Sequence, residues 1–70
     1  MFRKEIFGQR LLQARKENHE TQEQLAQLLG VGKSQISDLE NGITSTTLEK
    51  LVLICEHYNV SSDYLLGLKD

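Results

Sequence analysis

The sequence predicts an all-α domain built from about five short helices. Apolar residues recur with helical spacing along almost the whole chain, and short polar or glycine-containing breaks separate the periodic segments. No segment alternates apolar and polar residues as a half-buried strand does. The 70 residues include no proline and no linker-like stretch. We therefore expect one compact domain that spans residues 1–70.

The first two helices are predicted at roughly residues 5–17 and 22–29. Three apolar residues share one face of the first helix: Phe7, Leu11 and Ala14. Thr21 and Gln24 form a capping-box pattern before the second helix, in which the threonine hydroxyl and the glutamine side chain bind backbone amides that the helix leaves free. Gly30 is expected to end the second helix, because glycine readily adopts the left-handed conformation found at helix C-termini.

The fourth helix is predicted at about residues 47–58, with either Ser45 or Thr46 as its N-cap. Six residues are expected to form one broad buried face: Leu48, Leu51, Val52, Ile54, Cys55 and Tyr58. Ser61 is the expected cap of a short fifth helix that stops near Gly67.

A helix-turn-helix pattern occupies about residues 22–41. Only residues 30–32 separate the second helix from the third, which is predicted at about residues 33–40. Ile36 and Leu39 form the inward face of the third helix. Successive residues advance by about 100° around a helix, so the opposite side carries a short polar stripe: Lys33, Ser34, Ser37, Asp38 and Asn41. Compact polar side chains of this kind can reach base edges in a major groove of DNA.

The charge of the chain is unevenly distributed. The formal net charge is −2, yet residues 1–16 carry five basic side chains and one acidic one, whereas residues 17–70 carry three basic and nine acidic ones. An anionic ligand responds to the local field of one face rather than to the total charge. The sequence therefore permits a polyanionic partner despite its acidic sum.

Six blocks in register resemble the lambda-repressor/Cro-like helix-turn-helix family, also called the XRE type. They are TQEQLA (21–26), LGVG (29–32), IS (36–37), ENG (40–42), LEKL (48–51) and NVSSDYLLG (59–67). The resemblance extends over about residues 7–67. It implies a five-helix lambda-repressor-like DNA-binding domain, and a sequence-specific transcriptional regulator that reads the major groove with its third helix. We expect a repressor that binds a double-stranded DNA operator as a homodimer.

The resemblance also implies roles for individual residues. Three residues match positions that contact bases, and a fourth lies beside them: Lys33, Ser34 and Asp38, with Ser37. Gln22 and Asn41 match residues that bind DNA phosphates, and Arg15 and Glu40 match a pair that forms a salt bridge beneath the motif. The chain departs from the family between the third and fourth helices, where basic residues often meet phosphate but residues 43–45 carry no charge.

Other kinds of site have little support in the sequence. Cys55 and His57 would point about 200° apart on a helix, so they cannot bind one metal ion together. The exposed serines lack the partners of a catalytic set, and we expect no enzymatic activity, cofactor or metal. A lone cysteine and the absence of a long apolar run fit a cytoplasmic protein without a membrane span.

Two questions about partners stay open at this stage. The alternative to DNA binding is a protein-interaction module, an antitoxin or anti-regulator, that keeps the fold and binds another protein through its acidic surface. Several apolar residues lie outside the predicted core faces: Phe2, Ile6, Leu12, Leu53, Leu65, Leu66 and Leu68. We expect the chain to dimerise through residues 65–68, with a contribution from Phe2 and Ile6.

Overall fold

The computed structural model describes residues 1–69 and contains five α-helices within them. They are α1 (Lys4–Glu17), α2 (Gln22–Leu29), α3 (Lys33–Glu40), α4 (Leu48–Tyr58) and α5 (Ser62–Leu65). α1 packs against α3 and α5, α2 packs against α3, and α4 packs against α5. The predicted fold class is confirmed, and the first four helices begin and end within one residue of their predicted bounds. No helix in the described part of the chain is long and apolar enough to cross a membrane.

The ends of α2 and α5 form as the sequence predicts. The Thr21 hydroxyl accepts from the Gln24 amide at 3.1 Å, and the Gln24 side chain accepts from the Thr21 amide at 2.8 Å, which completes the capping box. Gly30 lies in the left-handed region at the end of α2, with φ of 70°. The Ser61 hydroxyl accepts from the Tyr64 amide at the start of α5. These local signals therefore fix both ends of α2 and the start of α5.

The predicted cap of α4 is wrong. The N-cap is Thr47, whose hydroxyl accepts from the Lys50 amide at 3.2 Å, and neither Ser45 nor Thr46 takes this role. An N-cap hydroxyl must lie directly before the first helical turn to reach the amides there. Because four consecutive residues, 44–47, carry hydroxyl groups, apolar periodicity alone could not show which of them is the cap.

Within residues 1–69 the core is one cluster of twelve buried apolar residues. It contains Phe7, Leu11, Ala14, Leu25, Ala26, Leu29, Ile36, Leu39, Leu51, Ile54, Tyr58 and Leu65. The predicted buried face of α4 is too broad, since Leu48 is 80% exposed and Val52 is 54% exposed. Cys55 is half-buried, and burial raises the pKa of its thiol. Leu48 and Val52 are exposed because α5, which packs on α4, is only four residues long and cannot cover a face of six residues.

The predicted dimer surface also needs correction. Leu65 is fully buried, because the single turn of α5 directs it into the core. Ile6 is half-buried, and its side chain packs beside Gly67, where an added Cβ would lie 3.0 Å from it. Phe2 and Leu68 remain exposed. Leu65 and Ile6 therefore belong to the packing of one chain rather than to a free apolar surface.

Candidate nucleic-acid interface

The turn between α2 and α3 sets the direction of α3. The Val31 amide donates to the Ala26 carbonyl at 3.0 Å, so the chain folds back directly after Gly30. Val31 packs against the core, and Gly32 is the N-cap of α3 in an extended conformation. A turn this short leaves α3 little freedom relative to α2. The two helices therefore present their exposed sides as one rigid unit.

A buried polar network lies beneath this unit. Arg15 Nε donates to Glu40 Oε2 at 2.6 Å and Arg15 Nη2 donates to Glu40 Oε1 at 3.1 Å, while both residues are less than 10% exposed. This hydrogen-bonded pairing raises the pKa of the Arg15 guanidinium above its ordinary value. Arg15 Nη1 also donates to the Glu20 carbonyl at 2.7 Å. The bidentate pair thus joins α1 to the end of α3, and no buried side-chain nitrogen or oxygen in the described residues lacks a partner.

Gln22, an expected phosphate ligand, is part of the same network. Its Nε2 donates to Glu40 Oε1 at 2.9 Å, and its side chain is half-buried at the first residue of α2. An amide nitrogen has two hydrogens, and the bond to Glu40 uses one of them. The contact fixes the position of the Gln22 amide before any ligand arrives.

The close contact between α1 and α3 depends on Gly8, a residue outside the predicted site and core faces. A Cβ at Gly8 would lie 2.4 Å from the carbonyl oxygen of Leu39 and 2.7 Å from that of Glu40. Both obstacles are backbone atoms at the end of α3, so the clash could not be relieved by turning a side chain. A glycine in the middle of a helix is the signal that could have indicated such an approach.

The outward side of α3 carries the predicted stripe. Lys33 and Ser34 are exposed, whereas Ser37 and Asp38 are half-buried. Asn41 is exposed directly after the helix, and its Nδ2 donates to the Ser37 hydroxyl at 3.3 Å. The five residues therefore lie along one side of α3, away from Ile36 and Leu39 in the core.

Two further residues shape this surface. Gln35 is exposed on α3 and adds an amide at the edge of the stripe, where the helical wheel gave no reason to include it. Lys33 Nζ lies 3.9 Å from Glu23 Oε1, and both side chains are more than half exposed. Exposed pairs of this kind are weak, so the Lys33 amine stays available to another anion.

Only some of the basic residues near the N-terminus are free to bind an anionic ligand. Arg10 Nη1 donates to the carbonyls of Tyr64 and Lys69, and its guanidinium lies 4.5 Å from the centre of the Tyr64 ring. Arg15 is buried against Glu40. Three basic side chains of this segment are exposed: Arg3, Lys4 and Lys16. The positive balance of residues 1–16 therefore overstates the charge that an anionic ligand would meet.

The loop between α1 and α2 is tied to α4 by Glu20. Its carboxylate accepts from the Tyr58 hydroxyl at 2.7 Å and lies 2.6 Å from His57 Nε2. Burial opposes ionisation of Glu20, but the hydrogen bonds from Tyr58 and His57 outweigh it and lower the pKa of Glu20. No local pattern could pair these residues, since nearly forty positions separate them in the sequence.

Two helices joined by a three-residue turn, with a polar stripe on the second and a buried ion pair beneath, define a helix-turn-helix domain. A family model described as Helix-turn-helix (HTH_3) matches residues 11–65. The chain belongs to this family.

Named relatives and a solved structure agree with that assignment. The chain is 43% identical over 65 residues to the uncharacterized HTH-type transcriptional regulator YobD of Bacillus subtilis, covering 93% of this chain and 58% of YobD. It is 31% identical over 62 residues to the antitoxin PezA of Streptococcus pneumoniae, covering 89% of this chain and 39% of PezA. The P22 c2 repressor, solved in complex with a synthetic operator, matches with a TM-score of 0.83 and 30% identity, over 91% of this chain and 97% of that one. The chain spans less than two thirds of either curated relative.

Proposed function

We propose that this chain is a sequence-specific DNA-binding transcriptional regulator that places α3 in the major groove. The observation that carries the proposal is the exposed polar stripe of α3, held on a rigid base by the Arg15–Glu40 pair. The P22 c2 repressor, which shares the fold, was solved on an operator, and YobD is named as a transcriptional regulator. These likenesses favour a regulator, and the first of them favours repression.

Four residues of the stripe are proposed to read bases. Lys33 can donate to guanine O6 and N7, and Ser34 can donate to or accept from a neighbouring base, with Ser37 beside it. Asp38 only accepts when ionised, so it favours cytosine N4 or adenine N6. Base contacts of this kind give sequence preference, because the major groove presents a different pattern for each base pair.

Gln22 and Asn41 are proposed to bind phosphates on either side of the stripe. Gln22 opens α2 and Asn41 follows α3, so they flank the base-reading residues. Phosphate contacts fix the position of a protein on the duplex without reading its sequence. Asn41→Ala is therefore expected to weaken binding to all sequences alike.

A homodimer is proposed as the binding species. Two copies related by a two-fold axis would set two α3 helices about 34 Å apart, one turn of duplex, and would double the phosphate contacts of a chain with few free cations. Exposed Leu48 borders one groove with Phe2 and another with Val52, so these apolar side chains are candidates for the contact between the two copies. Sedimentation should give about twice the chain mass of 8.0 kDa. A species that stays monomeric on DNA would contradict the dimer.

The salt dependence of binding to random-sequence duplex DNA tests the proposal. A DNA-binding protein releases condensed counterions, so the logarithm of its affinity falls linearly with the logarithm of salt concentration. We expect such a slope for this chain. A chain that fails to bind the duplex at any salt concentration would contradict the proposal.

The similarity to PezA favours one second candidate, an antitoxin-like protein-interaction module. In that case the acidic surface of residues 17–70 would bind a protein, and the α3 stripe would be a solvated face. The same salt titration separates the two candidates, because an interaction module of this kind has little affinity for random duplex at any salt concentration.

A further inference from the structure

The end of α3 is closed by a turn that leads into an uncharged loop. The Ile43 amide donates to the Asp38 carbonyl at 2.9 Å and the Gly42 amide donates to the Leu39 carbonyl at 3.2 Å, which is the Schellman arrangement. Gly42 has φ of 74°, a conformation that other residues rarely adopt. Residues 43–47, Ile-Thr-Ser-Thr-Thr, then carry the chain to α4 without a single charged side chain.

This loop occupies a position where a phosphate backbone is expected. α3 has eight residues and is therefore about 12 Å long, which is close to the width of the major groove. An α3 that crosses the groove spans it, and the segment that leaves its end then lies close to one of the two strands that border the groove. Asn41 offers a phosphate only a neutral amide, and the nearby Asp38 carries a negative charge, so α3 and the loop supply no cation at this end.

The start of α1 lies directly against the loop. Lys4 Nζ donates to the Ile43 carbonyl at 3.4 Å, and a Cβ added at Gly42 would lie 3.0 Å from the Cα of Glu5. The second distance indicates that the two backbones are in close contact, which fixes the beginning of α1 beside the end of α3.

Helix periodicity directs Lys4 to the same side of α1 as the residues that touch α3. Lys4, Gly8 and Arg15 are spaced by four and seven residues, so they lie within a narrow stripe along α1. Gly8 approaches the end of α3 and Arg15 binds Glu40. Lys16 lies about 120° from Lys4 around the helix and at the opposite end of it.

We propose that Lys4 supplies, from α1, the cationic phosphate contact that the uncharged loop after α3 lacks. The ligand is a backbone phosphate of duplex DNA, and the inference rests on the proposed function. An ammonium group has three hydrogens, so Lys4 can keep its bond to the Ile43 carbonyl and still donate to a phosphate oxygen. Arg3, exposed one residue earlier, adds to the same positive field. The neighbouring Glu5 carboxylate weakens this positive field. The phosphate contact therefore depends on where the Lys4 amine lies, and not on the local sum of charge.

The test is the salt slope of binding to a random-sequence duplex for Lys4→Gln. Loss of one phosphate contact lowers the magnitude of the slope by about 0.9. We expect that decrease together with weaker binding at low salt and unchanged base preference. Lys16→Gln is the matched control, because it removes the same charge from the same helix on another side, and its slope should change much less.

A rescue variant separates a local contact from a change in total charge. Thr44 is exposed in the loop, and Thr44→Lys combined with Lys4→Gln should restore the slope of the unsubstituted chain. An unchanged slope for Lys4→Gln, or an equal decrease for Lys16→Gln, would overturn the inference while leaving the proposed function intact. An unsubstituted chain without a salt-dependent affinity for the duplex would instead overturn the proposed function, and the inference with it.

Discussion

α3 and α4 differ in how completely their neighbours cover them. α3 is held by α1 and α2, and every apolar residue on its inward side is buried. α4 packs against α5, which has only four residues, and the N-terminal half of α4 leaves Leu48 and Val52 exposed. The side of α3 that remains free is polar, whereas the free side of α4 carries exposed apolar residues, Leu48, Val52 and Leu53, beside charged ones. The comparison indicates two kinds of surface: one suited to a polar ligand such as DNA, and one suited to a second protein surface.

The first prediction breaks the support of α3. Glu40→Gln should lower the free energy of unfolding by about 3–5 kcal/mol, because it strands the buried Arg15 charge. Urea unfolding measures the change. Glu23→Gln is the control, since its carboxylate is exposed and its pairing with Lys33 is loose, and it should cost under about 1 kcal/mol. A loss below about 0.5 kcal/mol for Glu40→Gln would mean that the pair does not hold α3.

The second prediction concerns the two sides of α4. Leu51→Ala should destabilise the chain by about 2–5 kcal/mol, since Leu51 is buried in the core. Leu48→Ala removes the same atoms from an exposed position and should cost under about 0.5 kcal/mol in a monomeric sample. Equal losses for the two variants would show that α4 is covered more evenly than described.

The third prediction concerns the contact between α1 and α3. Gly8→Ala should destabilise by about 1–3 kcal/mol, because its new methyl group meets backbone carbonyls. Helix propensity alone predicts the opposite sign, a gain of up to about 1 kcal/mol. Gly32→Ala is the control for the loss of a glycine, because an added Cβ there would make only an ordinary contact with the Ser34 hydroxyl at 4.0 Å. A stabilised Gly8→Ala variant would refute the close approach.

The smallest expected effect is a pH dependence that arises from Glu20. Its pKa is lowered in the folded chain, where the hydrogen bonds from Tyr58 and His57 outweigh burial. The resulting stabilisation is present above the pKa of the unfolded state, about 4.3, and is lost as the pH falls through the folded pKa. Glu20→Gln should therefore reduce the decline of unfolding free energy below about pH 4. A Glu20→Gln variant whose stability declines as steeply as that of the unsubstituted chain would contradict this account.

Patterns among neighbouring residues predicted much of the fold. The features that they missed depend on which distant segments cover one another. The capping box at Thr21, the glycine at the end of α2 and the stripe on α3 depend on neighbouring residues, and each could be predicted from spacing. The exposure of Leu48 and the burial of Leu65 depend on how far α5 reaches, which no local pattern encodes.

The candidate site divides in the same way. Helical spacing predicted which residues share the outward side of α3, and the Arg15–Glu40 pairing followed from the family resemblance. The link from Gln22 to Glu40 and the contact of Lys4 with the loop join segments far apart in sequence. Only the folded chain brings them together. The base and phosphate contacts of these residues remain predictions.

The central claim is that the stripe on α3 reads DNA sequence. Selection of bound duplexes from a random library, repeated for the unsubstituted chain and for single variants, tests it most directly. Asp38→Ala should change the base preference at one operator position and Lys33→Ala or Ser34→Ala at others, whereas Asn41→Ala should weaken binding without changing the preference. If Lys33, Ser34 and Asp38 variants all select the same sequences as the unsubstituted chain, α3 does not read DNA and the account is wrong.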